Sequence, residues 1–186
     1  MKPLKLLNLS MAMLLATSGM VQDRFLTRNG EVKFYSHAPL EDIEAFNDKV
    51  LSVIDLNKGE VAVDILIKAF QFEKALMQEH FNENYMESAK YPKSTFKGKF
   101  EVPDGLKSMS NGTYPVTVSG DITIHGVTKP LTTRVELVVI NGTINTEFSF
   151  KVKVKDHDIK IPSVVVRNIA EEVEVTANFK YEPYQR

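Results

Sequence analysis

The chain has four histidines, and acid–base chemistry near neutral pH looks to them first. Three stand where chemistry is conceivable. His125 lies in GDITIHGVTKP, residues 120–130, beside a turn. Asp156-His157-Asp158 sets an imidazole between two carboxylates, with Ser163 following as a nucleophile to consider. His80, Glu83 and Glu87 stand at i, i+3 and i+7, so one helix face would present them together, the arrangement of a weak metal site.

None of these completes a recognisable apparatus. A catalytic histidine needs a nucleophile or partner within reach. His125 shares the parity of Asp121 and Thr123, opposite Ile122 and Ile124, so it should face away from the apolar side and flank a turn over residues 126–130. In an extended chain His157 would point to one side and both aspartates to the other. Lys151, Lys153 and Lys155 crowd the same strand end, which favours a solvated loop. Ser163 has no Gly-x-Ser-x-Gly elbow. No second histidine joins His80 and the chain has no cysteine, so packing on a helix surface or lid suits it better than a metal. The expectation is no catalytic residue, no metal and no cofactor. Asn111-Gly112-Thr113 and Asn141-Gly142-Thr143 fit the glycosylation pattern, but as Asn-Gly pairs they are explained as turns.

The elements that would position these groups are mostly strands. Period-two alternation, the mark of a half-buried strand, runs through residues 32–36, behind Asn29-Gly30 as a hairpin signal. It returns at 60–68, with Val61, Val63, Ile65 and Ile67 on one face, and at 94–102, with Phe96, Gly98, Phe100 and Val102. Residues 114–124 and 131–140 follow, then Asn141-Gly142. Residues 143–154 align Ile144, Phe148, Phe150, Val152 and Val154, and 172–180 align Val173, Val175, Ala177 and Phe179. With 50–55, seven or eight strands emerge. Short connections predict an antiparallel meander, and closure into a barrel would remove its edges. Residues 73–88, EKALMQEHFNENYMES, interrupt the strands. Leu76, Met77, His80, Phe81 and Tyr85 recur near spacings of three and four, as on one helix face, and Tyr91-Pro92 should lie beyond its end. Such a helix plugs a barrel end or acts as its lid.

The first residues differ from the rest. Residues 1–5 carry two lysines, 6–16 are mostly apolar and 16–19 are small, the order of a secretory signal peptide with cleavage near Ser18 or Gly19. Its apolar run is too short for a comfortable membrane span, so no transmembrane anchor is expected. Losing Lys2 and Lys5 takes 23 basic side chains to 21 against 24 acidic ones, moving the formal net charge from −1 to −3. Nucleic acid calls for a basic surplus on one face, and this chain has none overall. Hydrophobic residues make up 43% of the chain. That suffices for a core without disulfides at this length.

Two stretches carry a family resemblance. HFNENYMESAKYPKSTFKG, residues 80–98, resembles the helix-to-strand passage of the YceI-like family, a helical histidine followed by Lys-Tyr-Pro and then Thr-Phe. GDITIHGVTKPLT, residues 120–132, is similar to that family's second signature, Gly-x-Leu-Thr-x-x-Gly-Val-Thr-Lys-Pro. Strand order agrees over roughly residues 24–182. The resemblance implies an all-β fold, a lipocalin-like antiparallel β-barrel of about eight strands with one helical insertion. A signal peptide would occupy residues 1–19 and the barrel domain residues 20–186, exported to the periplasm. It also implies an apolar cavity for a long-chain lipid, a polyisoprenoid by family habit. On that reading the ligand-binding residues are Phe34, Val63, Ile65, Met77, Phe81, Tyr85, Phe96, Phe100, Phe148, Phe150 and Phe179. The residues alone leave a packed core open as the alternative, with the chain an envelope stress or protein-interaction module. One departure stands out. Where the family continues a Ser-x-x-x-Phe-x-x-x-His pattern, this chain has the acidic segment Ala38-Pro39-Leu40-Glu41-Asp42, at one mouth of the barrel.

Overall fold

Alternation of apolar and polar side chains dictates two-faced strands, and the computed structural model, which describes residues 23–184, has nine. They are β1 (Arg24–His37), β2 (Asp42–Asp55), β3 (Glu60–Leu66), β4 (Gln71–Phe72), β5 (Lys93–Lys99), β6 (Gly112–Ile124), β7 (Val127–Ile140), β8 (Thr143–Lys153) and β9 (Glu172–Pro183). All pairings are antiparallel, in the order β1-β9-β8-β7-β6-β5-β3-β2, and β1 also pairs with β2. Eight strands thus close on themselves and bury both edges. The two-residue β4 lies against β2. The fold is the expected eight-stranded barrel with a helical insertion, and the proposed signal segment lies outside the described residues.

The two barrel ends differ. One carries the β2–β3 and β7–β8 turns and a short helix, α2 (Asp104–Lys107), which the sequence reading missed. Leu106 of α2 is fully buried. It belongs, with Phe25, Val50, Leu56, Val139, Ile144 and Tyr181, to the buried apolar cluster of the core. The other end carries the β1–β2 turn, residues 67–92, the β6–β7 turn and residues 154–171.

Three local expectations are corrected. Asn29-Gly30 makes no hairpin; β1 runs straight through it, with register shifts on either side of Gly30. A Cβ there would stand 2.6 Å from the Phe179 ring, so glycine is needed for close approach to that ring and not for a turn. The β6–β7 turn consists of His125 (φ 51°) and Gly126 (φ 76°), not residues 126–130. Two left-handed residues match the strand twist, histidine is among the side chains enriched there, and Val127 to Pro130 already pair with β6. The insertion is not one long helix either. α1 (Ala75–His80) passes into a π turn over Phe81–Tyr85, closed by the Met86 N–H donating to the Phe81 carbonyl at 2.8 Å. Glu87, at φ 42°, then ends the helical path.

Candidate functional site

Inward-facing side chains of the eight strands meet between the plugged end and the inserted segments, and they do not fill the space. A cavity of about 350 Å³ remains, within the ~300–1,000 Å³ of small-molecule sites. All eleven side chains singled out from the sequence border it. Phe34 comes from β1, Val63 and Ile65 from β3, Met77 from α1, and Phe81 and Tyr85 from the π turn. Phe96 and Phe100 come from β5 and its continuation, Phe148 and Phe150 from β8, and Phe179 from β9. Val63, Phe100 and Phe179 are buried in the deep part, and the others are half-buried.

Two aromatic groups shape the walls. Phe34 meets Phe70, Phe72 and Phe81 with ring centroids 5.5, 5.8 and 5.5 Å apart, and Phe72 and Phe81 lie at 5.0 Å. This cluster fastens the π turn to β1. Such pairs add about 0.5–1.5 kcal/mol beyond area burial. The second group descends along β8 and β9, from Phe150 to Phe148 (6.3 Å), Phe179 (6.2 Å) and Tyr181 (5.8 Å). Phe70 and Phe72 were missed in the sequence, although the apolar alternation of Phe70-Gln71-Phe72 could have pointed to them. Ile159, Ile161 and Ile169 also border the cavity. They come from an irregular stretch with no period to read.

Polar groups in the wall are few. The Tyr181 hydroxyl donates to Ser52 Oγ at 2.8 Å, and Ser52 donates to the Ala62 carbonyl at 3.1 Å. Burial pushes the Tyr181 phenol far above its ordinary range, with Ser52 opposing weakly. Thr146 Oγ1 is buried and has no hydrogen-bond partner.

The departing acidic segment is tied to its neighbours at the mouth. Glu41 accepts from Lys74 Nζ just before α1 at 3.0 Å and from Asn168 Nδ2 at 3.4 Å. The hydrogen bond from Lys74, then that from Asn168, hold its carboxyl below the usual range against an opposing desolvation. The Leu40 N–H donates to the Arg167 carbonyl at 3.0 Å, and the Ala170 N–H to Ser36 Oγ at 2.9 Å. One turn thus joins both irregular segments over the cavity.

The histidines fall elsewhere than expected. His125 points away from the cavity as expected, but it is buried. Its Nδ1 lies 3.1 Å from the His157 carbonyl oxygen, its Nε2 2.8 Å from Glu87 Oε2, and the Tyr91 ring meets it edge-on at 4.6 Å. Both oxygens face ring nitrogens as hydrogen-bond acceptors, so the ring is held from two sides. His157 is also buried, not in a solvated loop. The chain coils into a tight 3-10 turn over Val154–His157, and His157 Nδ1 donates to the Val127 carbonyl at 3.1 Å. Because Glu87 turns toward His125, it leaves His80 at the cavity mouth without it. Among the described residues no three His, Cys, Asp or Glu are grouped to hold a metal. Neither buried imidazole faces a nucleophile. Neither His125 nor His157 borders the cavity.

Known proteins share this architecture. The YceI-like domain matches residues 16–181. The structure of a polyisoprenoid binding domain from Saccharophagus degradans, implicated in plant cell wall breakdown, superposes with a TM-score of 0.74 at 16% identity, covering 88% of this chain and 99% of that one. BcnA of Burkholderia cenocepacia gives 0.67 at 18%, covering 82% and 95%. The YceI protein of Campylobacter jejuni gives 0.63 at 17%, covering 80% and 90%. No curated protein sequence matches the chain. At these identities the shared property is the fold.

Proposed function

The chain belongs to the YceI-like family, and from that premise we propose that it is an exported carrier that holds a long-chain polyisoprenoid in its barrel and transforms nothing. The observation that carries this reading is the cavity wall, which is almost entirely hydrocarbon and aromatic. A prenyl chain offers no charge to grip, so its affinity must come from buried area, at about 25 cal/mol per Å². The eleven residues named above are its proposed contacts. The Saccharophagus degradans structure is of a polyisoprenoid binding domain, and that ligand class suits a wall of this chemistry. The segment 1–19 is proposed to direct export to the periplasm and to be removed, leaving 20–186 as the functional barrel. No helix of the described residues is long and apolar enough to cross a membrane.

Native mass spectrometry of the mature protein, purified from its own envelope, tests the ligand. A reproducible lipid-sized adduct is the expected result. Its absence after several mild preparations would turn the reading to a protein-interaction module. N-terminal sequencing of periplasmic protein should begin near residues 19–22. An intact Met1 in a cytoplasmic pool would exclude export.

A further inference from the structure

An apolar side chain left in water at the surface of a barrel is ordinary when it stands alone. Here the most exposed ones do not. Val164, Leu76 and Leu40, at 87%, 61% and 60% exposure, lead the large apolar side chains of the described residues, and Val166 follows at 50%, level with Ile140 at the plugged end. All four stand on the segments around the cavity mouth: Leu40 on the β1–β2 turn, Leu76 on α1, and Val164 and Val166 on the stretch between β8 and β9. The hydrogen bonds of Leu40 to Arg167, Glu41 to Lys74 and Glu41 to Asn168 bind these three segments together.

The exposed residues adjoin cavity-lining ones in sequence. Each exposed residue has a neighbour in sequence that lines the interior: Met77 beside Leu76, Val165 between Val164 and Val166, and Glu41 beside Leu40. At Leu76 and at the valines, apolar side chains thus stand on both the inner and the outer side of the rim, whereas beside Leu40 the inner neighbour is the Glu41 carboxylate. The charges alongside have a pattern. Acidic side chains also stand at this end, Glu41 and Asp42 beside Leu40, Glu73 and Glu79 on either side of Leu76, and Asp156 and Asp158 before the valine stretch. The stretch KIPSVVVR, residues 160–167, has none, and Lys160 and Arg167 bracket its exposed valines. Apolar side chains between basic ones suit the boundary of acyl chains and anionic headgroups.

We propose that this rim is a membrane-docking surface. Val164, Val166, Leu76 and Leu40 enter the interfacial layer, with Lys160 and Arg167 against the headgroups, so that ligand passes between bilayer and cavity without crossing water. The inference rests on the carrier reading for its purpose, while its geometry is independent of the ligand.

The test uses mixed phosphatidylethanolamine–phosphatidylglycerol vesicles and the mature protein. Tryptophan is absent from the chain, so Val164→Trp supplies a single reporter at the rim. Its emission should shift to the blue with vesicles and be quenched by brominated acyl chains. In co-sedimentation, Val164→Asp combined with Leu76→Asp should lower vesicle partition at least about tenfold. Ile140→Asp, an exposed site at the plugged end, should leave it unchanged. The double variant should keep its thermal melt and its lipid adduct while losing transfer to vesicles. Retained adduct with no vesicle binding by the unaltered protein, or equal binding by the double variant, overturns docking and leaves the carrier reading standing. Vesicle binding without any adduct supports docking and sinks the carrier. A concentration-dependent dimer that Val164→Asp abolishes, with no blue shift on vesicles, assigns the patch to a second copy and overturns the proposal.

Discussion

Glu87 Oε2 stands 2.8 Å from His125 Nε2, and the contact joins the segment following the π turn to the β6–β7 turn. The imidazole is buried and also faces the His157 carbonyl. One side chain therefore holds three pieces of chain at the mouth end: the inserted segment, its own hairpin and the coil after β8. His125→Ala removes both bonds and leaves a void beside Tyr91. It should lower unfolding free energy by about 2–3 kcal/mol in urea melts, combining a lost charged hydrogen bond with a buried cavity. Glu87→Gln keeps a polar partner at a half-exposed position and should lose less than about 1 kcal/mol. Equal, negligible losses in both would mean that the ring does not tie these segments.

Acid should loosen the rim before it unfolds the barrel. The Glu41 carboxyl is held below its ordinary value of 4.5 by the hydrogen bonds from Lys74 and Asn168. A depressed carboxylate contributes stability that is complete above its unfolded value and lost as pH falls through the lower folded value. Hydrogen exchange in α1 and over residues 163–170 should therefore rise, beyond the intrinsic pH effect, only as pH falls below about 4.5. Glu41→Gln should show raised exchange at neutral pH and no further step in acid. A step that persists in Glu41→Gln would assign it to another carboxylate.

The phenylalanines of β8 and β9 separate cavity wall from packed core. Phe179 is almost wholly buried, against Gly30 and Tyr181, so Phe179→Ala should cost about 3–5 kcal/mol. Phe148 and Phe150 are half-buried and border open space. Their alanine variants lose fewer contacts, and delipidated protein should lose only about 1–2 kcal/mol, while lipid retention weakens. Lys151→Ala, on the outer face with an exposed salt bridge to Glu172, should alter neither by more than about 1 kcal/mol. Core-sized losses at both Phe148 and Phe150 with retention unchanged would refute a ligand-lining role.

What could be read from the sequence follows from how far each signal reaches along the chain. Val61, Val63 and Ile65, or Phe148 and Phe150, announce their shared face because a half-buried strand has a period of two. Asn29-Gly30 carries a hairpin signal that is purely local. It is overridden by the Phe179 ring, from the other end of the chain, lying against Gly30. His125 and His157 were misplaced for a related reason. Alternation gives a facing only while the strand lasts, and both sit where it has stopped, one left-handed and one in a 3-10 turn. The helix period of residues 73–88 was genuine but blind to the π turn, which inserts one residue without changing composition. Phe70 and Phe72, beside a short 3-10 turn, escaped for want of any long period.

Thr146 offers the sharpest test of what the deep end of the cavity meets. Its hydroxyl is buried on the cavity wall, and Oγ1 has no hydrogen-bond partner, whereas Tyr181 and Ser52 nearby satisfy one another. An unsatisfied buried hydroxyl costs about 1–3 kcal/mol. Valine has nearly the same shape and favours strands at least as well. Thr146→Val should therefore stabilise the delipidated barrel, by about 1 kcal/mol in denaturant melts. A purely hydrocarbon occupant at this depth gains nothing from the hydroxyl, so lipid retention should stay equal or improve. Should retention fall in Thr146→Val while the empty barrel gains stability, the occupant carries a hydrogen-bonding group at its buried end. A loss of stability in the empty protein would instead show that the hydroxyl has a partner, and the orphan assignment would be wrong.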